Sequence, residues 1–191
     1  MAEPQILSSK HYPYTHSRYA PRSAHSPRVA AIASPNATHA IRPCPRHHRP
    51  RRNRFLLGLG SNLPLSPKSH PIDCLERLFA WLYRHPQIAI LQASPIYRNP
   101  PFGFTAQGDF YNALLLCESD MGLREVFGLM FYAERRFGRG RKRAFKNAPR
   151  TLDIDLIFFN DMRVNLPSLQ LPHRFYKDRA SVLVPLSFME I

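Results

Sequence analysis

Cysteine and long apolar runs are both scarce in this sequence of 191 residues, and each scarcity excludes a class of protein. The three cysteines, Cys44, Cys74 and Cys117, are far apart and form no C-x-x-C pair, so they predict neither a zinc site nor a disulfide framework. No apolar run approaches the roughly 20 residues that span a bilayer, and no short apolar stretch follows a charged N-terminus as in a secretory signal. We therefore expect a cytoplasmic protein that contacts no membrane.

Acidic residues are also few, with 13 Asp and Glu against 27 Lys and Arg, which gives a net charge of +14. The excess is uneven, because residues 1–54 hold ten basic residues, one acid and eight of the 19 prolines. With few large apolar residues, this segment cannot bury enough surface to offset the entropy of ordering it. We predict a disordered basic extension at 1–53 and a folded domain at 54–191. The tail composition overlaps that of organellar transit peptides, although its prolines disfavour their amphipathic helix, so an organellar location is the alternative.

The rest of the chain alternates between strand and helix patterns. Short apolar runs predict strands, and apolar residues at i, i+3 and i+4 predict helices. The predicted order is a strand at 55–60, a helix at 72–82, extended segments at 88–93 and 96–98, a strand at 110–117, a helix from 123 to about 137, and a final strand that contains Asp153 and Asp155. This βαββαβ order predicts an α+β, ferredoxin-like fold, in which helices cover one face of an antiparallel sheet. The other face is left for loops and a ligand.

Two acids, Asp153 and Asp155, lie two residues apart in a β-branched and aromatic run that predicts a strand. Alternation then places both side chains on one face, with Cα atoms roughly 6.6 Å apart. Like charges this close cost free energy unless a cation shares them, and oxygen ligands suit a hard cation such as Mg²⁺. A basic loop at 138–146 and Arg150 precede the acids, and guanidinium groups suit the outer oxygens of a polyphosphate. The combination predicts a metal site that handles phosphates.

Several stretches together resemble one enzyme family. They are 59–63 (LGSNL), 97–103 (YRNPPFG) with Phe110 and Asn112, 148–156 (APRTLDIDL), and 171–173 (LPH) with Arg179 and 184–186 (VPL). Over about residues 55–186 the chain resembles 6-hydroxymethyl-7,8-dihydropterin pyrophosphokinases of folate biosynthesis. The resemblance implies transfer of pyrophosphate from ATP to the pterin hydroxymethyl oxygen, with release of AMP and with two Mg²⁺ ions as cofactors. We expect a monomer that binds these two substrates and no nucleic acid.

The resemblance also implies roles for single residues. The catalytic group comprises Arg139, Arg141, Arg150, Asp153 and Asp155, of which the two acids hold both metals. ATP-binding residues are Glu134, Arg150, His173 and Arg179. A pterin is a flat heterocycle with a guanidine-like edge, so it calls for an aromatic face and amide partners. The residues that match the pterin site of the family are Asn99, Pro100, Pro101, Phe102, Phe110 and Asn112.

Two other interpretations remain open at this point. A nucleic-acid-binding module on a ferredoxin-like sheet fits the excess of basic over acidic residues and the aromatic residues, but it leaves Asp153 and Asp155 unexplained. An inactive relative kept for binding fits the departures from the family pattern. Ser181 stands where some members have a second stacking aromatic, and Arg174 stands where Tyr often follows the histidine.

Overall fold

The computed structural model describes residues 5–6, 52–101, 105–138 and 148–191. Its strands are β1 (Gln5–Ile6), β2 (Asn53–Ser61), β3 (Ala89–Ala93), β4 (Tyr97–Asn99), β5 (Phe110–Ser119), β6 (Asp153–Phe159), β7 (Val164–Leu166) and β8 (Leu169–Leu171). Its helices are α1 (Pro71–Tyr83), α2 (Leu123–Arg136) and α3 (Ala180–Leu186), and a 3₁₀ helix at Tyr176–Asp178 precedes α3. The predicted α+β fold is confirmed.

Strands β1 to β6 form one antiparallel sheet, in which β2 lies between β5 and β6. The other side of β5 pairs with β3 and β4, so β5 is central, as its run of apolar residues predicts. The two-residue β1 pairs with β4 and falls within the segment predicted to be disordered. The remaining residues of that segment, up to residue 51, lie outside the described residues.

One face of the sheet packs against α1 and α2. His70 begins α1 by accepting a hydrogen bond from the Ile72 N–H, and Asp73 accepts one from the His70 N–H in return. Leu75 and Leu78 of α1 are fully buried, and each contributes about 1.5–3 kcal/mol through burial. In the part of the chain that the structure describes, none of the helices has the length and hydropathy of a membrane span.

The opposite face is partly covered by α3, which was not predicted. Val182 of α3 packs on Leu56, Leu114 and Ile157, one residue from each of the three central strands. Helix α3 has only seven residues and contains Pro185, so it is too short to show a helical period in the sequence. Because α3 covers one end of this face, the other end remains available for a ligand.

Candidate active site

One row of residues crosses the uncovered end of this face. Gly60 of β2 pairs with Asn112 of β5 on one side and with Asp153 of β6 on the other. Neighbouring strands are about 4.8 Å apart, so the Cα atoms of Asn112 and Asp153 are separated by about 10 Å. A methyl group on Gly60 would lie 3.1 Å from Asn112 Oδ1 and 3.8 Å from Asp153 Cβ. Glycine therefore puts no side chain between the amide and the acid, and it lets Asn112 Oδ1 lie close to the backbone of β2.

The two acids lie on this face, as strand alternation predicts, and each has an arginine partner. Arg150 Nη1 is 2.7 Å from Asp153 Oδ2, and Arg179 Nη1 is 3.3 Å from Asp155 Oδ2. Burial and the neighbouring Asp153 carboxylate raise the pKa of Asp155, and the nearby cationic groups only partly offset this effect. The uncharged form of Asp155 is thus favoured relative to an exposed carboxyl, as expected at a site built for an added cation.

The donor set of the two acids fits Mg²⁺. Mg²⁺ prefers oxygen ligands and is held by one or two carboxylates together with phosphates and water. Among the described residues, no group of three or more His, Cys, Asp or Glu side chains is placed to hold a metal. Asp153 and Asp155 would therefore supply the protein ligands, and a phosphorylated substrate would supply others.

Asn62 fixes the segment that leads into the acid-bearing strand. Its Oδ1 accepts a hydrogen bond from the Arg150 N–H at 2.8 Å, and its own N–H donates to the Arg150 carbonyl at 3.1 Å. Its Nδ2 donates to Gln107 Oε1 at 2.8 Å and to the Gly108 carbonyl at 3.3 Å. One buried amide thus connects the end of β2, the approach to Asp153 and the loop before β5.

His173 lies beside the acids on the loop after β8. Its N–H donates to the Ile157 carbonyl at 2.7 Å, which ties the loop to β6, and its Nε2 is 4.0 Å from Asp155 Oδ2. Burial lowers the pKa of His173, and Asp155 opposes this effect, so the ring is mainly neutral at pH 7. Its buried Nδ1 has no hydrogen-bond partner among the described residues.

A cavity of about 750 Å³ runs along the outer edge of β6, between α2 and the β7–β8 hairpin. Glu134 of α2 lines it, together with Asp153, Asp155 and His173. The Glu134 side chain is 6% exposed, and its Oε1 accepts the Ile154 N–H at 3.0 Å. Since Ile154 lies between the two acids, this hydrogen bond fixes the backbone that carries both. The volume is within the usual range for small-molecule sites.

At the other end of the row, two amides meet. Asn112 Nδ2 donates a hydrogen bond to Asn99 Oδ1, and Asn99 of β4 is the cross-strand partner of Phe110. Arg98 and Asp109 form an ion pair with a nitrogen–oxygen distance of 2.7 Å, which joins the two ends of the intervening loop. This places an amide pair, one partly exposed aromatic ring and the start of a proline-containing loop close together.

Comparison with known proteins gives the family. The model of the 7,8-dihydro-6-hydroxymethylpterin-pyrophosphokinase family matches residues 56–190. The chain belongs to this family.

Three curated relatives are each named 2-amino-4-hydroxy-6-hydroxymethyldihydropteridine pyrophosphokinase. The Helicobacter pylori protein is 50% identical over 139 residues, which are 73% of this chain and 82% of the relative. The Campylobacter jejuni protein is 38% identical over 134 residues, which are 70% of this chain and 81% of the relative. The Methylorubrum extorquens protein is 35% identical over 134 residues, which are 70% of this chain and 80% of the relative. The family predicted from the sequence motifs is thus confirmed.

The structure brings together most of the residues that the pyrophosphokinase pattern singled out. Asp153, Asp155, Arg150, His173, Arg179 and Glu134 surround one end of β6. Phe110 and Asn112 lie two strands away on β5, and Asn99 lies one strand further on β4. Pro100 and Pro101 follow Asn99 directly. Arg139, Arg141 and Phe102 lie outside the described residues, so their predicted roles remain predictions.

Other contributors to this pyrophosphokinase site were not predicted. Gly60 and Asn62 belong to the LGSNL stretch, but no role was assigned to either. The sequence does contain a pair of glycines at alternate positions of an apolar strand, Gly58 and Gly60. Such a pair indicates that another group approaches the strand backbone closely on one face. The β7–β8 hairpin, which forms one wall of the cavity, has three residues per strand and gives no clear periodic pattern.

Proposed function

We propose that this protein transfers pyrophosphate from ATP to the hydroxymethyl oxygen of 6-hydroxymethyl-7,8-dihydropterin, as a step of folate biosynthesis. The observation that carries the proposal is the row formed by Asn112, Gly60 and Asp153. It offers an amide for a heterocyclic edge at one end and a carboxylate for a metal–phosphate group at the other. Gly60 puts no side chain of its own between the two ends of the row.

Asp153 and Asp155 hold two Mg²⁺ ions in this proposal. When bound, Mg²⁺ would supply positive charge that favours attack of the acceptor oxygen on the β-phosphorus of ATP. The acceptor oxygen bonds to that phosphorus, the bond from the β-phosphorus to the oxygen bridging it to the α-phosphate breaks, and AMP leaves with that oxygen. The hydroxyl proton passes to solvent or to a phosphate oxygen. The protein supplies positioning and charge.

The arginines that now pair with the acids can turn to the phosphates when the metals bind. Arg150 and Arg179 each contact one carboxylate in the absence of a substrate. Mg²⁺ held by the acids would balance their charge, and the guanidinium groups would then be available for phosphate oxygens, which such groups bind in a bidentate manner. Arg139 and Arg141 of the basic loop join them in this proposal.

The nucleoside of ATP occupies the cavity along β6. Its walls combine apolar residues of α2 and β8 with polar groups of His173 and Gln170, a composition typical of small-molecule sites. His173 lines this cavity beside the two acids. Glu134 acts here through its hydrogen bond to the Ile154 N–H, which keeps both acids in place beside the phosphates.

The pterin lies at the other end of the row. Asn112 reads its amide-like edge, while Asn99 orients Asn112 through the hydrogen bond between their side chains. Phe110 supplies one stacking face, and Pro100 and Pro101 line the pocket from the loop. Phe102, outside the described residues, keeps its predicted role in pterin binding.

The assay incubates the protein with ATP, Mg²⁺ and 6-hydroxymethyl-7,8-dihydropterin and measures AMP. We expect AMP and the pterin diphosphate in equal amounts. Asp155→Asn should abolish turnover, whereas Asp161→Asn, which changes an exposed acid in the turn after β6, should leave it unchanged. Release of ADP, or equal loss in both variants, would contradict the proposal.

A further inference from the structure

An exposed phenylalanine on the cavity rim has two arginines close to its ring. Phe175 lines the cavity, is 45% exposed and belongs to neither hydrophobic core cluster of the described residues. The guanidinium carbon of Arg174 lies 5.1 Å from the ring centre, and that of Arg179 lies 5.7 Å from it. Both distances are within the range of cation–π interactions. Core packing does not explain a large apolar side chain here, so a role in the site is the better explanation.

The backbone around the ring is well anchored. The His173 N–H binds the Ile157 carbonyl of β6 at 2.7 Å, and the Tyr176 N–H binds the His173 carbonyl at 3.1 Å. The Asp178 N–H binds the Phe175 carbonyl at 3.2 Å, which closes the short 3₁₀ helix before α3. These hydrogen bonds hold the backbone of Phe175 beside β6. The side chains of the two arginines are ordered only by the contacts that they make themselves.

Arg179 has few other restraints. Its side chain is 44% exposed, and its polar contact is the 3.3 Å approach of Nη1 to Asp155 Oδ2. That contact is lost in the proposed reaction, because the metal takes over the carboxylate. An exposed arginine loses side-chain entropy when it is ordered. The ring of Phe175 restricts the guanidinium before ATP arrives and so reduces this cost.

We infer that Phe175 is a positioning residue, which holds the guanidinium groups of Arg174 and Arg179 at the cavity rim for the polyphosphate of ATP. The inference rests on the proposed function for the identity of the ligand. It adds to that function a contact between the loop after β8 and the phosphates that depends on an aromatic ring. It also assigns phosphate binding at the cavity rim to Arg174, which stands where Tyr often follows the histidine in the family.

The test measures binding of Mg²⁺–tripolyphosphate and of Mg²⁺–ATP to the full chain by calorimetry. Phe175→Leu removes the aromatic face and keeps an apolar side chain, and we expect it to weaken both ligands about two- to fivefold. Phe175→Trp should restore wild-type affinity, because the indole is at least as good a cation–π partner. Phe188→Leu, a change of another partly exposed phenylalanine that does not line the cavity, should have no effect.

Three results would overturn the inference. Weaker binding of ATP with unchanged binding of tripolyphosphate would show that the ring stacks on the base instead. An unchanged affinity for both ligands would show that the ring has no role. A loss of the same size in a background with Arg174→Gln and Arg179→Gln would show that the arginines are not what the ring acts on.

Kinetics separate this inference from the proposed function. In an active enzyme, Phe175→Leu should raise KM for ATP and leave KM for the pterin unchanged, which a general loss of structure would not do. If the wild-type protein binds Mg²⁺–tripolyphosphate but forms no AMP, the proposed function fails, and the comparison of binding constants still decides the role of Phe175.

Discussion

Asn62→Ala tests whether the fixed approach to Asp153 matters for catalysis. The substitution removes three side-chain hydrogen bonds, to the Arg150 N–H, to Gln107 and to the Gly108 carbonyl. At about 1 kcal/mol net for each bond, the free energy of unfolding should fall by about 3 kcal/mol. For a chain of this size, each kcal/mol lowers Tm by about 2–4 °C, so we expect a decrease of about 6–12 °C.

A matched control lies at the other end of the same strand. The Asn53 side chain donates to the Met121 carbonyl at 2.9 Å and accepts from Asn160 at 2.8 Å, away from the site. Asn53→Ala should cost about 2 kcal/mol of stability and change kcat/KM less than twofold.

Asn62→Ala should lower kcat/KM by about 10²-fold, the effect of a displacement of about 1 Å in the groups that align the phosphates. Both parameters are measured for each variant, by thermal denaturation and by AMP release at a temperature where each is folded. If the two variants had equal activity, the reasoning that Asn62 positions Arg150 and Asp153 would be refuted.

Three further predictions concern the acids and their surroundings. Asp155→Asn should raise Tm of the metal-free protein while it abolishes turnover. The raised pKa of Asp155 in the folded state means that the native state binds more protons than the unfolded state, so the wild type loses stability as pH rises between the ordinary and the raised pKa. The variant should lack this pH dependence, and a Tm below that of the wild type would contradict the prediction. Gly60→Ala should lower kcat/KM at least tenfold, because its methyl group would lie 3.1 Å from Asn112 Oδ1 and would displace that amide. Gly128→Ala, whose methyl group would meet no atom within 4 Å, should not lower kcat/KM. Equal activities of the two variants would contradict a role for the close approach of Asn112 to Gly60. Glu134→Ala should lower the free energy of unfolding by about 1.5–3 kcal/mol, because it removes the acceptor of the Ile154 N–H. Glu134→Gln should retain most of that stability, because its amide oxygen can accept the same hydrogen bond. Equal losses of stability in the two variants, measured by urea denaturation, would show that the hydrogen bond to Ile154 does not cause the loss.

The main elements of the fold could be predicted because their patterns are local. The apolar spacing of Leu75 and Leu78 predicts α1, and the apolar run that follows Asn112 predicts a strand that is buried on both faces. The pair Asp153 and Asp155 predicts a shared ligand, since a strand places them on one side. These features depend on neighbours in sequence, which the sequence displays directly.

Other features depend on contacts between residues far apart in the chain. The pairing of Gly60 with both Asn112 and Asp153 follows from the strand order, and neither glycine nor asparagine indicates its partner. Glu134 matched a nucleotide-pocket position, but only the packing of α2 on β6 reveals its bond to the Ile154 N–H. Helix α3 depends on the apolar surface at Leu56 and Ile157 more than on its own short pattern.

The most direct test of the central claim follows the phosphorus atoms. The protein is incubated with Mg²⁺, 6-hydroxymethyl-7,8-dihydropterin and ATP labelled with ³²P at the β-phosphate, and the pterin product is isolated. If Asp153 and Asp155 direct attack at the β-phosphorus, the label moves to the pterin and the nucleotide product is unlabelled AMP. Label that remains with the nucleotide as ADP, or a pterin without label, would contradict pyrophosphate transfer by this site.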